Sequence, residues 1–282
     1  MDQVERGRIV VLLGAQSRPK KNIMHIVITG ASSGIGSALA GTFGKKGHSL
    51  TLVARRKNLL TQLTKELQCP TKIIVADLSQ AQNSTVWIRE AEDALGPIDV
   101  LINNAGASFV EPTSGVSSER MRSLFQLNLL TPLEAISWIL PRMLSQKSGT
   151  LINICSEAAL TPAPFFSHYN ASKAGLAAFS ESLRAEIRKS GVNVITVYPG
   201  PIETPMAKRN IAQLKKTFFR DFAPTGSPKK LASLVYLAFK KKKARVIYPK
   251  VYTIARHFPV LGQWLAHTLM PPAVGTTTPD IE

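Results

Sequence analysis

The amino-acid sequence predicts an α/β fold, namely a single domain on a doubly wound parallel sheet of about seven strands with a C-terminal helical extension. From Met24 onward, short runs of β-branched and aliphatic residues alternate with amphipathic stretches of helical length. This alternation is typical of a parallel sheet covered by helices on both faces. The chain has 282 residues, 44% of them hydrophobic, so it can bury the core of one large domain.

The elements follow in a regular order. The first strand is the apolar run H-I-V-I-T at 25–29, and the helix at 34–46 places Ile35, Leu39 and Phe43 on one face. Later strands are predicted at 49–54, 72–76, 99–102, 150–155, 192–198 and 244–248, and later helices at 57–68, 80–95, 118–145 and 168–189. Pro132 and Pro141 predict a kink or break in the long stretch at 118–145, because proline donates no backbone hydrogen bond.

The chain ends differ in character from this alternating part. We expect residues 1–23 to be an N-terminal extension outside the core, residues 24–250 to form the domain, and residues 251–282 to form an amphipathic tail. The apolar piece at 9–15 is short and has no A-x-A cleavage site, so a secretory signal is not predicted. No apolar run reaches the roughly 18 residues that a membrane-spanning helix needs.

The net charge of +17 is concentrated near the C-terminus, where residues 205–282 carry 14 lysines and arginines against 3 acidic residues. Such a region favours anionic partners such as lipid head groups, nucleic acid or acidic substrates, although a lysine-rich proteome would also produce it. No aromatic-interleaved basic motif supports a nucleic-acid partner. Cys69 and Cys155 have neither metal-ligand spacing nor a disulfide framework, so we expect no metal and a reducing, cytoplasmic location.

A glycine-rich turn, T-G-A-S-S-G-I-G at 29–36, joins the first strand to the first helix. Glycines let the backbone approach a phosphate, and the following helix N-terminus favours an anion, although a turn without a ligand is the alternative. The second strand ends in L-V-A-R-R, with Arg55 and Arg56 where an NAD site would carry an acidic residue. Arginine can hold a 2′-phosphate, so the sequence favours NADP over NAD; solvated arginines are the alternative.

The stretch S-H-Y-N-A-S-K-A-G places Tyr169 four residues before Lys173, so both lie on one face of the predicted helix. Alone, this pair is common on helix surfaces. The pair becomes informative together with the other motifs of the chain. These are the glycine turn, Asp77-Leu78, Asn103-Asn104-Ala105-Gly106, Asn128, Ser156, and Pro199-Gly200 with Thr204.

In this order, the motifs from about Met24 to Thr204 resemble the classical short-chain dehydrogenases/reductases, a family with a Rossmann-type fold. The resemblance implies an NADP-dependent oxidoreductase that interconverts an alcohol and a ketone or aldehyde, with reduction as the favoured direction. It implies that Tyr169 is the general acid/base and that the charge of Lys173 lowers the pKa of Tyr169. It also implies that Ser156 holds the substrate oxygen and that Asn128 holds a water. The implied catalytic residues are Asn128, Ser156, Tyr169 and Lys173.

The resemblance also implies where NADPH lies. The implied cofactor-binding residues are Gly30, Ser32, Ser33, Gly34, Ile35, Gly36, Arg55, Arg56, Asp77, Leu78, Asn104, Ala105, Gly106, Tyr169, Lys173, Pro199, Gly200, Ile202 and Thr204. A homodimer or homotetramer that pairs through the long helices is implied as well. The rival hypothesis is a catalytically silent NADP-binding scaffold or sensor, possibly at a membrane surface.

The resemblance implies that the segment after Thr204 closes over the substrate, and its apolar residues favour an apolar one. Met206, Ile211, Leu214, Phe218 and Phe222 recur at helical spacing, which indicates an amphipathic helix that covers an apolar compound or packs on the body.

The tail predicts peripheral membrane contact. Leu261, Trp264, Leu265 and Leu269 fall on one helical face, and Lys240–Lys243, Arg245, Lys250 and Arg256 lie close in sequence. Packing on the same subunit or on a dimer partner is the alternative.

Overall fold

The computed structural model describes residues 23–217, 224–269, 271 and 273–274. Its sheet has seven parallel strands in the order β3-β2-β1-β4-β5-β6-β7, which confirms the predicted fold class. The strands are β1 His25–Thr29, β2 Ser49–Ala54, β3 Thr71–Val75, β4 Val100–Asn103, β5 Gly149–Ile154, β6 Val192–Pro199 and β7 Arg245–Tyr248. The predicted extension at 1–23 lies outside the described residues, apart from Ile23.

Helices connect these strands in the right-handed sense that parallel strands require. They are α1 Gly34–Gly44, α2 Lys57–Glu66, α3 Val86–Leu95, α4 Ser118–Phe125, α5 Thr131–Ser145, α6 Ser167–Glu186, α7 Pro205–Ala212, α8 Pro228–Lys240, α9 Thr253–His257 and α10 Pro259–Leu269. Among the described residues, none of these helices is both long enough and apolar enough to cross a bilayer.

The core consists of two layers, one on each face of the sheet. Successive strand residues point to opposite faces, so Ile26 and Ile28 join one layer and Val27 joins the other. Helices α1, α2 and α8 cover the first face with Leu39, Phe43, Leu60, Leu231 and Val235. Helices α3, α5 and α6 cover the second face with Trp87, Ile88, Ile136, Ile139 and Leu183.

The strand order places the chemistry-bearing loops together. The chain runs outward from β1 to β3 and then crosses to β4 on the other side of β1, so the loops after β1 and β4 diverge and leave a crevice between them. Because all seven strands are parallel, the loops after β1, β2, β4, β5 and β6 open at one edge of the sheet. We call this edge the carboxyl edge.

The long helix predicted at 118–145 is interrupted by a π-helical turn at Gln126–Leu130, between α4 and α5. Pro132 has no amide hydrogen, and its ring excludes the carbonyl four residues earlier, that of Asn128. The wider turn absorbs this conflict, whereas Pro141 lies within α5 without breaking it. The break therefore falls at Asn128. π-Helical turns within α-helices are often found at functional sites.

The single amphipathic helix predicted after Thr204 is wrong over its described part. Helix α7 ends at Ala212, and Leu214 instead forms an isolated antiparallel bridge with Ala273. The predicted positions Phe218 and Phe222 lie outside the described residues.

Candidate active site

A cavity of about 1090 Å³ opens at the carboxyl edge of the sheet, and most of the predicted site residues line it. This volume is at the upper end of the range of ligand pockets. Two predicted residues lie behind the surface of the cavity instead, namely Gly36 and Asn128. Those that line it are Gly30, Ser32, Ser33, Gly34, Ile35, Arg55, Arg56, Asp77, Leu78, Asn104, Ala105, Gly106, Ser156, Tyr169, Lys173, Pro199, Gly200, Ile202 and Thr204.

The glycine turn after β1 packs tightly against the loop after β4. A Cβ on Gly30 would lie 2.7 Å from the Cα of Ala105, and a Cβ on Gly36 would lie 2.3 Å from the carbonyl oxygen of Gly30. The side-chain amide of Asn104 donates to the carbonyls of Thr29 at 2.8 Å and Gly30 at 3.2 Å. Asn104 thus fixes the shape of the turn, and only glycine fits at the two close approaches.

The N-terminus of α1 faces the cavity, and its first backbone N–H groups are not capped by the Ser33 side chain. Ser33 is the N-cap residue, but its side chain makes no capping hydrogen bond, and no acidic residue lies in the first turn. The first amides of the helix and the positive end of its dipole are therefore available to an anion. The turn and the helix end fit a dinucleotide pyrophosphate.

The two arginines after β2 behave differently. The guanidinium of Arg56 donates to the hydroxyl of Ser32 at 2.8 Å and to that of Ser33 at 2.7 Å, so it lies against the glycine turn. Arg55 extends instead toward Asp77, at 3.6 Å between Nη1 and Oδ2, and remains two-thirds exposed. The cluster of Arg56 with two hydroxyls is a stronger anion site than Arg55 alone.

Asp77 and Leu78 follow β3 at the far wall of the cavity. Burial opposes ionisation of Asp77, but hydrogen bonds from Ser79 and the nearby Arg55 outweigh it and hold its pKa below the usual range. Leu78 is buried, and its carbonyl accepts a 2.8 Å hydrogen bond from Thr131 at the start of α5. This bond ties the wall to the helix that follows the π-helical turn.

Tyr169 and Lys173 lie one turn apart at the start of α6, as their spacing predicts, and Ser156 follows β5 opposite them. Lys173 is 4% exposed, and its Nζ donates to the carbonyl of Ile154 at 2.9 Å. Burial lowers the pKa of Lys173. The ammonium is thereby fixed in the wall of the cavity.

The pKa of Tyr169 differs from the sequence expectation. Burial raises it to about 12, and the Ser156 hydroxyl opposes this rise, while the Glu157 carboxylate adds to it. We expected the charge of Lys173 to lower this pKa, but desolvation of the phenolate dominates in the ligand-free protein. The phenol is therefore protonated at neutral pH.

Asn128 lies behind the residues that line the cavity. It is fully buried, its Oδ1 accepts from the Ala107 amide at 2.9 Å, and its Nδ2 donates to the Ala107 carbonyl at 2.9 Å and to Ser172 at 3.0 Å. A Cβ on Gly106 would lie 3.2 Å from Asn128 Oδ1 and 3.4 Å from Lys173 Nζ. The side chain thus links the loop after β4 to α6, and the water assigned to it stays a prediction.

The loop after β6 completes the cofactor side. Pro199 ends β6, and a Cβ on Gly200 would lie 2.6 Å from the ring of Tyr252. Ile202 is buried and bridges to Gly226. Thr204 is the N-cap of α7, and its hydroxyl accepts from the Ala207 amide at 3.2 Å.

The sequence reasoning missed Glu157, which lines the cavity directly after Ser156. Burial raises its pKa to about 7, although the Thr161 hydroxyl donates a 2.9 Å hydrogen bond that opposes the rise. Its place next to the predicted serine was the only available signal, because its burial depends on the folded chain. An acid that titrates near neutrality thus lies beside Tyr169.

The sequence reasoning also missed the contact between the tail and the cavity. Gly262, Leu265, Ala266 and Leu269 of α10 line the cavity, at the i, i+3, i+4 and i+7 spacing of one helical face. The predicted face grouped Leu265 and Leu269 with Leu261 and Trp264, but the latter two do not line the cavity and are more exposed than Leu265. Part of the predicted tail therefore serves as a wall of the site.

These features have counterparts in known proteins. A family model described as short chain dehydrogenase matches residues 24–215. The chain belongs to the short-chain dehydrogenase family. This short-chain dehydrogenase is an NAD(P)-dependent oxidoreductase that acts on carbonyl or alcohol groups.

Three relatives illustrate the family. The ketoacyl reductase HetN of Nostoc sp. is 32% identical over 226 residues, which cover 79% of this chain and 77% of that protein. A short-chain dehydrogenase from Sphingobium yanoikuyae in complex with NADPH is 26% identical, covers 92% of this chain and 100% of that one, and has a TM-score of 0.73. The bulky-bulky ketone specific alcohol dehydrogenase from Comamonas testosteroni is 26% identical, covers 86% and 92%, and has a TM-score of 0.71.

Proposed function

We propose that this short-chain dehydrogenase is an NADPH-dependent reductase of apolar ketones or aldehydes, with Tyr169 as the proton donor. The observation that carries the proposal is the group of Ser156, Tyr169 and Lys173 around one end of the cavity, with the phenol protonated at neutral pH. A residue that gives up a proton in the reaction must hold that proton at the working pH. The protonated phenol of Tyr169 meets this requirement for carbonyl reduction.

Each of the three side chains has a separate role. The Ser156 hydroxyl binds the carbonyl oxygen of the substrate, and the Tyr169 hydroxyl donates a proton to the same oxygen as negative charge develops on it. The buried ammonium of Lys173 lies one turn farther along α6 and stabilises that charge by electrostatic attraction. When bound, the reduced nicotinamide supplies the hydride that the carbonyl carbon accepts.

The preference for NADPH rests on Arg56. Its guanidinium already lies against the hydroxyls of Ser32 and Ser33, and these three groups together offer a 2′-phosphate several donors. Arg55 adds positive charge from the solvent side. The Sphingobium relative, solved with NADPH, supports the same choice.

The apolar substrate is inferred from the wall of the cavity opposite the glycine turn. Ile211 and Leu214 come from the segment after β6, and Leu265 and Leu269 come from α10. Such a wall favours compounds with an alkyl or aryl body, because burial of apolar surface drives their binding. The names of the ketoacyl reductase and the bulky-ketone dehydrogenase agree with this class.

The pairing of subunits is also proposed here. We infer a homodimer or homotetramer that pairs through the long helices α4, α5 and α6. Trp138 on α5 is 47% exposed, and Leu130 in the π-helical turn before α5 is 42% exposed, so these helices carry apolar area that a second copy could cover.

The test is steady-state oxidation of NADPH, with NADH in parallel, against ketones and aldehydes of graded chain length. We expect turnover that rises with chain length and is lost in Tyr169→Phe. Tyr236→Phe is the matched control, because Tyr236 packs on α8 away from the cavity. Turnover that survives in Tyr169→Phe contradicts the assigned role. Tight NADPH binding without turnover of any carbonyl compound supports the scaffold or sensor hypothesis instead.

A further inference from the structure

Helix α10 and Phe258 just before it expose an apolar surface beside the mouth of the cavity. Phe258 is 62% exposed, Val260 81%, Leu261 49% and Trp264 60%. We call these four residues the tail patch. Val260 and Trp264 lie on the side of α10 away from Gly262 and Leu269, which line the cavity, whereas Phe258 lies one turn before Gly262. One short helix thus presents one face to the cavity and the other to the surroundings, and a contiguous apolar surface of this kind marks an interaction site.

The surroundings of the tail patch are basic. The described residues from 205 to 274 include no aspartate or glutamate. Exposed Lys229 and Lys230 begin α8, which runs antiparallel to the strands and therefore starts at the carboxyl edge. Exposed Lys250 directly precedes Val251 and Tyr252 of the cavity wall. We call these three residues the mouth lysines.

Some of the other basic residues of the region lie away from the cavity mouth. Lys241, Lys242 and Lys243 follow α8 and precede β7, so they lie at the amino-terminal edge of the sheet, opposite the cavity. Arg245 at the start of β7 is paired with Glu181. The lysine run is close to the tail in sequence, but the sheet direction places it at the edge opposite the cavity. We call Lys241–Lys243 the opposite-edge lysines.

We propose that the tail patch docks on an anionic lipid surface, with the mouth lysines against the head groups and the cavity mouth toward the bilayer. The charge argues for lipid over a second copy of the chain, because two copies paired through this face would bring their mouth lysines together. Apolar side chains combined with lysines are the arrangement that binds an interface rich in anionic lipid. Delivery of an apolar carbonyl compound from the bilayer rests on the proposed function, whereas the docking itself does not.

The first experiment is co-sedimentation of the full-length protein with vesicles of phosphatidylcholine alone and with added phosphatidylserine. We expect binding to the anionic vesicles that weakens as salt increases, together with a blue shift of tryptophan fluorescence that is lost in Trp264→Phe, because the Trp264 indole leaves water. Failure of the full-length protein to bind anionic vesicles at low salt overturns the proposal.

Neutralisation of the lysines tests the orientation. The mouth-lysine triple K229Q/K230Q/K250Q should lower the partition coefficient by about 100-fold, since each basic side chain near an anionic surface contributes a several-fold factor. The opposite-edge triple K241Q/K242Q/K243Q removes the same charge and should change it less than about tenfold. Equal losses in the two triples overturn the proposed orientation and leave only non-specific attraction.

Polar substitution tests the apolar contact. V260Q/L261Q keeps Trp264 as the reporter and should abolish the blue shift and most of the binding. The matched control is V75Q/V86Q, which changes two exposed valines on β3 and α3. If V260Q/L261Q instead dissociates an oligomer, as measured by analytical ultracentrifugation, the patch is an interface between copies and the lipid proposal is wrong. Both variants should keep NADPH oxidation with a water-soluble ketone, which shows that they fold.

Discussion

The side-chain amide of Asn128 donates a 3.0 Å hydrogen bond to the hydroxyl of Ser172, which in turn donates to the carbonyl of Tyr169 at 2.8 Å. This chain of two bonds joins the π-helical turn to the first turn of α6, which carries Tyr169 one turn before Lys173. The shape forced by Pro132 is therefore transmitted to the backbone that carries the proposed proton donor.

Substitution Asn128→Ala tests this link. It removes hydrogen bonds to both the amide and the carbonyl of Ala107 and to Ser172, so we expect a loss of stability of about 3 kcal/mol. Ser172→Ala removes only the hydroxyl and should cost about 1 kcal/mol. Chemical denaturation measures both values. Equal losses would mean that the contacts with Ala107 contribute nothing, and full activity in Asn128→Ala would contradict its positioning role.

Cofactor preference provides a second test. Arg56→Ala should weaken NADPH binding by about 30-fold, the value of one or two charge-assisted hydrogen bonds, and leave NADH binding nearly unchanged. Arg55→Ala should have a smaller effect, because Arg55 extends toward Asp77 and is mostly solvated. Calorimetric titration with both cofactors measures the ratio. A larger effect at Arg55 than at Arg56 would show that the cofactor reorients these side chains.

The sequence predicted all seven strands and the cluster of loops, because their signals are local. Apolar runs such as H-I-V-I-T define buried strands, and parallel strands bring the residues after them, such as Gly30 and Ser156, to one edge. The position of each motif after its strand, together with the parallel strand direction, therefore predicted that the site residues lie together.

The remaining features depend on contacts that are distant in sequence. Arg55 and Arg56 are adjacent, and only the fold decides that Arg56 meets the glycine turn while Arg55 meets Asp77. Pro132 was visible, but the wider turn that relieves its clash was not. The raised pKa values of Tyr169 and Glu157 arise from burial, which the sequence does not reveal.

Glu157 provides a prediction about pH. Its carboxyl ionises near pH 7, and the resulting charge raises the pKa of Tyr169 and makes the phenol a weaker acid. We therefore expect kcat for carbonyl reduction to fall as pH rises through about 7. Glu157→Gln removes the titrating group and should abolish this step. A step that persists in Glu157→Gln would assign it to another group.

Thr161→Val is the matched control for this assignment. The Thr161 hydroxyl stabilises the Glu157 carboxylate through the 2.9 Å hydrogen bond, so its loss should raise the pKa of Glu157 further. The step in the pH profile should then move to higher pH without disappearing. A shift to lower pH would contradict the proposed hydrogen bond.

Glu181 on α6 predicts how stability depends on acid. Burial opposes its ionisation, but hydrogen bonds from Arg245 and Arg184 outweigh this and lower its pKa to about 2. A carboxyl whose folded pKa lies below its unfolded pKa stabilises the protein at pH values above the unfolded pKa, and this contribution is lost as pH falls from about 4.5 toward about 2.

Glu181→Gln should therefore cost about 1–2 kcal/mol at neutral pH and progressively less in acid. Thermal unfolding of both proteins between about pH 7 and pH 3 measures the difference, with Glu66→Gln on exposed α2 as the control that should change little. A difference that stays constant with pH would show that Glu181 contributes through packing and not through its charge.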